Sequence, residues 1–249
     1  FQYNTIKNSY DVNENHDDGF QSWSWGDDGR VGTGVVKGIV LRGNTFINWE
    51  DKDQPFRGSF QGIGCFDGMF EDWLIIDNVV MVDHWHGISL YGAINCLIEN
   101  NTVIDILEGS PGPTRIWMNN HKNGIPPSGT IVRNNLVTDL FLQGDTQSID
   151  NQEIDFTNYE DTFVDWENYN FELKDCECCV GSHLPCEGPL NDPIDIGCES
   201  SGNFCCEKCV DEKSYTCDSG TCCSECFTTE TLHEIISGFF AGTNSILDV

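Results

Sequence analysis

Basic residues are scarce: 12 Lys and Arg stand against 41 Asp and Glu, for a net charge of −29. Phosphate recognition needs clustered Lys and Arg, which excludes nucleic acid and anionic membrane surfaces as partners. Such a surface attracts cations and suits a salty or calcium-rich medium, where screening relieves self-repulsion. Long hydrophobic runs are absent too: no stretch approaches the roughly 20 apolar residues that span a bilayer. Residues 26–34 are rich in glycine, but no Lys-Ser/Thr pair and no helical pattern follows, so they form a plain loop rather than a phosphate cradle.

Cysteine is nearly missing from the first 174 residues, which hold only Cys65 and Cys96, and concentrated afterwards, with 12 between Cys176 and Cys226. This contrast divides the chain into residues 1–174, long enough for a substantial core, a cysteine-rich module at 175–227 that needs cross-links to fold, and a short amphipathic segment at 228–249. Within the module, Cys205-Cys206-Glu207-Lys208-Cys209 recurs as Cys222-Cys223-Ser224-Glu225-Cys226. Disulfides account for this pattern better than zinc, because adjacent cysteines rarely ligate one tetrahedral ion and His183 is the module's one histidine. An extracellular or cell-surface location is the corresponding expectation. In the last segment Leu232, Ile235, Ile236, Phe239 and Phe240 recur at helical spacing. The chain opens on Phe1 with no signal peptide, and its first residues already read as a strand, so a processed product or a fragment is expected.

The first part repeats. Five segments align on one asparagine, at Asn4, Asn44, Asn78, Asn101 and Asn135, with steps of 40, 34, 23 and 34 residues. Each reads as a strand, a tight Asn turn and a second strand of β-branched residues. Asparagine suits a left-handed turn, and its amide can bond to the equivalent amide one coil away. The sequon Asn100-Asn101-Thr102 lies on such a turn and is read as structural. Between these segments a second strand family begins at Gly19, Gly62, Gly87 and Arg115. Two alternating families at about one-coil period describe an all-β parallel solenoid, in which stacking completes a core that no single coil can close. Residues 24–37, 48–59 and 107–113 are read as loops leaving its side.

The run Gln61-Gly62-Ile63-Gly64-Cys65-Phe66-Asp67-Gly68-Met69-Phe70-Glu71-Asp72-Trp73, with Asp83-His84-Trp85-His86-Gly87-Ile88 and Asn119-Asn120-His121-Lys122, resembles bacterial right-handed parallel β-helix repeat proteins. These belong to the broad pectate-lyase-like superfamily, which also contains phage tailspikes. The resemblance covers residues 1–150 and leaves the cysteine-rich tail outside. It implies a right-handed β-helix and leans towards a polysaccharide lyase or epimerase, while the superfamily also includes hydrolases and non-catalytic adhesins, so fold does not settle function.

Alternation along the second strand family puts Phe20, Ile63, Ile88 and Ile116 inside. Trp23, Phe66 and Tyr91 then share an outward column, with Trp117 beside it, forming a platform for sugar rings or a layer covered by loops. A polar cluster precedes these strands, with His16, Asp17, Asp18, Asp83, His84 and His86, and follows them, with Asp67, Asp72, His121 and Lys122. Three chemistries suit it. His84, His86, Lys122 or Arg115 can serve as base or neutralising cation for C5 proton abstraction from a uronate, with Asp18 as a further catalytic candidate. Paired carboxylates among Asp17, Asp18 and Asp67 can hydrolyse a glycosidic bond, or bind calcium. The pair His84 and His86 with Asp18 suits a transition metal instead. Trp23, Phe66, Tyr91, Trp117, His16 and His121 are the expected substrate contacts. The functions in view are a secreted enzyme acting on a polysaccharide, a glycan-binding adhesin, and a structural surface protein.

Overall fold

Asparagines recurring once per passage of chain require each passage to lie on the one before, and the strand register has that form. In a computed structural model, which describes residues 1–10, 12, 17–106 and 111–174, Thr5 pairs with Thr45, Thr45 with Val79, Val79 with Thr102, Thr102 with Leu136 and Leu136 with Gln152, all in parallel. These strands form a six-stranded parallel sheet. A five-stranded sheet runs Asp17–Trp23, Phe60–Asp67, His86–Tyr91, Arg115–Asn119, Asp139–Leu142, and another runs Val40–Arg42, Leu74–Ile76, Leu97–Glu99, Ile131–Arg133, Gln147–Ile149. Successive layers thus contribute one strand to each sheet, and the described chain is all-β, of stacked parallel sheets compatible with a solenoid-like fold.

Two parts of this stack differ from expectation. A fourth parallel sheet joins Val35–Lys37, Met69–Glu71 and Ala93–Ile94, so the segment 24–37 is a loop only until Val35. Strands of two or three residues are too short to carry a readable alternation. A final layer, Asp139–Leu142, Gln147–Ile149 and Gln152–Glu153, closes with the short helices Phe156–Asn158, Tyr159–Thr162 and Trp166–Asn168 and an antiparallel pair, Phe163–Asp165 with Asn170–Leu173.

The asparagines form a continuous ladder. The backbone N–H and the side-chain amide of Asn44 both donate to Asn78 Oδ1, at 3.0 and 2.9 Å. Asn78 repeats this with Asn101, Asn101 with Asn135, and Asn135 with Asn151. Asn151 is the member that the repeat did not reveal, because its step is 16 residues. The same side chains donate to main-chain carbonyls, as Asn101 Nδ2 does to Ile75 and Glu99 at 2.9 and 3.0 Å. The left-handed residue of each turn is the one before the ladder asparagine: Tyr3, Gly43, Asp77, Asn100, Asn134 and Asp150, with φ from 49 to 61°. That corrects the expectation that the ladder asparagine itself takes this conformation. The preceding residue makes the bend, and the asparagine keeps its amide free to face inward.

Inside, Leu41, Phe46, Ile63, Phe70, Trp73, Ile75, Ile88, Ile98 and Ile116 form one core, completely buried. The broad sheets approach closely where Gly62 faces Val80: a Cβ on Gly62 would lie 2.4 Å from Val80 Cγ1 and from Gly87 O. Cys65 and Cys96 lie in this core as free thiols. Burial pushes the Cys96 thiol up to about 12 and the Cys65 thiol higher still. A second apolar cluster fills the opposite side of the six-stranded sheet, where Tyr159, Phe163 and Phe171 cover Val79, Met81, Ile104 and Leu136. Tyr159 Oη bonds the Asp105 N–H at 3.0 Å and Thr138 Oγ1 at 2.8 Å, fastening this cover. Among the described residues no helix is long and apolar enough to cross a membrane. The proposed modules at 175–227 and 228–249 lie outside the described residues.

Asn101→Ala removes acceptor and donors together, leaving buried backbone groups on two layers unpaired. It should lower the unfolding free energy by about 3 kcal/mol or more, against roughly 1 for Asn151→Ala at the end of the ladder. Chemical denaturation of both variants measures the difference, and equal losses would contradict a ladder whose interior members carry most of the bonding.

Candidate functional site

A sheet whose inner face is apolar shows its alternate residues to the outside, and here the two outer faces differ. The six-stranded sheet is covered by the closing helices, whereas the sheet from Asp17–Trp23 to Asp139–Leu142 presents half-buried and exposed side chains. Its inward column is Phe20, Ile63, Ile88 and Ile116, in register as expected, and continues to Leu140. The following outward column is Gln21, Gly64, Ser89, Trp117 and Phe141.

The rings form a run, though with different membership from that expected. Phe66 meets His86 at 4.6 Å and Tyr91 at 5.2 Å, Tyr91 meets Trp117 at 5.7 Å, and Trp117 meets Phe141 at 5.4 Å. The His86 ring stacks on Trp117 at 5.0 Å with an 18° interplanar angle. Trp23 does not belong to the run: the register shifts between Gln21 and Trp23, placing Trp23 opposite Asp67 rather than Phe66. Strict alternation cannot anticipate such an irregularity. Phe141 was missed because its strand, Asp-Leu-Phe-Leu, lies in a layer shorter than the repeat that marks the earlier ones.

Beside the rings runs a polar column. Asp18 pairs in register with Gln61, His86 with Arg115, and Arg115 with Asp139. Asp18 Oδ2 accepts from Gln21 Nε2 at 3.0 Å. A Cβ on Gly64 would lie 2.4 Å from Asp18 Oδ1 and 3.0 Å from Gln61 Oε1, so the bare glycine is what admits both polar groups. His86 Nδ1 is 2.8 Å from Ser89 Oγ. Arg115 Nε is 2.9 Å from Asp139, and its guanidinium carbon lies 5.6 Å from the Trp117 ring centre. His86 therefore stands where the ring run and the polar column meet.

The remaining candidates have other settings. His84 is buried, stacks on His86 at 5.1 Å and accepts the His86 N–H on Nδ1 at 3.1 Å, which leaves the proton of a neutral ring on Nε2. Asp83 is a structural acceptor: it takes bonds from Asn48 Nδ2 at 2.9 Å and the Phe60 N–H at 3.2 Å. Lys122 Nζ is 2.6 Å from Asp67 Oδ1. His121 is buried, with Nδ1 accepting the Asn123 N–H at 3.2 Å. Asp17 accepts from Ser9 Oγ. His16 lies outside the described residues. Asp17, Asp18 and Asp67 are each engaged separately, and among the described residues no three His, Cys, Asp or Glu side chains gather as a metal site. Neighbouring layers lie only about 4.8 Å apart, so the polar column can reach successive units of one extended ligand.

Comparison of the chain with family models, with curated proteins and with solved structures finds no match in any of the three.

Burial raises the Asp83 carboxyl above its ordinary value of 3.8, against the opposing bonds from Asn48 and Phe60. The folded state therefore keeps a proton that the unfolded chain has lost, and stability falls as pH rises from 3.8 through the folded pKa. Asp83→Asn keeps the acceptor and removes the charge, so its stability relative to the native chain should increase between pH 3 and pH 7. Denaturation midpoints at the two pH values check this; a pH-independent gap would rule out a strained Asp83 charge.

Proposed function

We propose that residues 1–174 are a right-handed parallel β-helix of the pectate-lyase-like kind, and that the protein is an extracellular one acting on a polysaccharide. The observation that carries the reading is the outer face of the sheet Asp17–Trp23 to Asp139–Leu142, which no apolar layer covers among the described residues, with Phe66, His86, Tyr91, Trp117 and Phe141 in continuous contact beside the polar column. A stack of parallel strands repeats its side chains at the spacing of one layer, which suits a polymer bound across several layers. The expected disulfides of residues 175–227 agree with an oxidising environment.

His86 is the best-situated proton acceptor on this face, half-exposed and oriented by Ser89. In a lyase or C5-epimerase step it would take the C5 proton of a uronate. Loss of the C4–O bond then gives the unsaturated sugar, and reprotonation on the other face gives the epimer. Arg115, one layer away, would balance the carboxylate, and calcium attracted by the acidic surface would offset the charge of the protein. A hydrolytic reading is weaker, because Asp18 pairs with Gln61 and Asp67 with Trp23 six residues further along the strand, about 20 Å away and too far to share one glycosidic bond. The non-catalytic reading, a glycan-binding adhesin, has an observation of its own: Arg115 and Lys122 are both already neutralised, by Asp139 and Asp67.

The test is incubation with uronate and neutral polysaccharides, with calcium and then with chelator, following ultraviolet absorbance of unsaturated ends, reducing ends and, by NMR, C5 configuration. Turnover that His86→Ala lowers by about 100-fold or more, with glycan binding retained, is the expected result for the enzyme. Binding without any of the three signals would favour the adhesin, and the absence of binding to every glycan would end both readings.

A further inference from the structure

Trp23, set apart from the ring run by the register shift, is 55% exposed, and among the described residues it meets no other ring. It lines an open groove of about 370 Å³ together with Gln21, Ser22, Val31 and Asp67, a volume within the range of small-ligand sites. The far wall is preformed rather than loose. The Asp67 carbonyl accepts from the Ser24 N–H at 2.7 Å, tying the loop to the next layer, and Ser24 in turn accepts from Gly32 and Gly34 at 3.0 and 3.1 Å. Trp25 bridges Val31 across the loop, and Gly26 bonds Arg30 at 3.0 Å. The Arg30 guanidinium is held by Asp28 at 2.7 Å, and Asp28 also accepts from Thr33. A wall already ordered in this way loses little freedom when a ligand enters.

Resting on the carbohydrate reading above, we infer that this groove is a subsite for a neutral pyranose, distinct from the His86 centre. The lining has the two kinds of group that recognise a sugar ring: an exposed indole and Val31 for the C–H face, and the Gln21 amide, Ser22 and the Asp67 carboxylate for hydroxyls. Charge decides the class. Lys122 is committed to Asp67 at 2.6 Å, and the Gln21 amide is bonded to Asp18 at 3.0 Å, so a uronate carboxylate would enter beside the Asp67 carboxylate, and among the described residues no cation lines the groove. The net charge of −29 opposes it further. A neutral hexose or pentose unit brings only donors and acceptors, and its hydroxyls can donate to Asp67 without displacing Lys122.

The experiment is affinity electrophoresis and calorimetry of the full chain with a neutral β-glucan, a xylan, a galactomannan and polygalacturonate, using Trp23→Ala, Trp23→Phe and Trp117→Ala, with thermal melting of each variant to establish folding. The expected result is binding to at least one neutral glycan that Trp23→Ala weakens by about tenfold or more and Trp23→Phe largely preserves. Neutral-glycan binding unchanged in a folded Trp23→Ala overturns the subsite while leaving the carbohydrate reading intact, the more so if Trp117→Ala abolishes it. Trp23-dependent preference for polygalacturonate overturns the neutral class. No binding to any of the four overturns the subsite together with the reading it rests on.

Discussion

Parallel stacking leaves a corner problem at every layer: the chain must turn, and the turn is deep enough that its polar groups are cut off from water. The asparagine ladder answers it. Each interior amide donates to the next asparagine and to carbonyls of its own and the preceding layer, so the buried corner has a closed set of partners. An unpaired buried amide would cost about 1–3 kcal/mol, so the ladder fixes which residue of each layer sits above which. The registers of the flanking sheets follow from it, since a slip of one residue would exchange the inner and outer columns.

From that register comes the contrast between the two broad faces. On the six-stranded sheet, apolar residues appear on both sides, and the outer ones are met by Tyr159, Phe163 and Phe171. On the neighbouring sheet the outer side carries rings, hydroxyls and charges, and no apolar cover of that kind crosses it among the described residues. Its aromatic side chains stabilise one another layer by layer, which explains how these rings persist half-exposed among the described residues. The ring run is thus partly a support for the sheet itself, while Trp23, displaced from it, has a face to offer elsewhere.

Much of this was legible because asparagine at a recurring corner has few substitutes: Asn44, Asn78, Asn101 and Asn135 announced both the stack and its register. The inward column of Phe20, Ile63, Ile88 and Ile116 followed from simple alternation. What escaped notice has physical causes. Val35–Lys37 and Ala93–Ile94 are too short for periodicity to register. Asn151 begins a polar strand, Gln152–Glu153, that lacks the β-branched mark of its predecessors. The local shift at Trp23 depends on how two layers meet, which neither segment encodes alone. In the polar cluster, the residue types suggested one site, whereas the structure sorts them: Asp83 into the scaffold, His86 and Arg115 onto the face, Lys122 into an ion pair with Asp67.

The unequal length of the layers has a broader consequence. Steps of 40, 34, 23 and 16 residues end on the same ladder, so the excess chain leaves at corners without disturbing the register. Lengthening such a loop costs entropy only logarithmically, about 0.6 kcal/mol per doubling. The scaffold therefore separates inheritance of its frame from invention at its rim. Asparagines and inward aliphatic residues are under constant physical constraint, while the segments between them are free to vary in length and chemistry, and new specificity can arise by changing a loop and leaving the stack as it is.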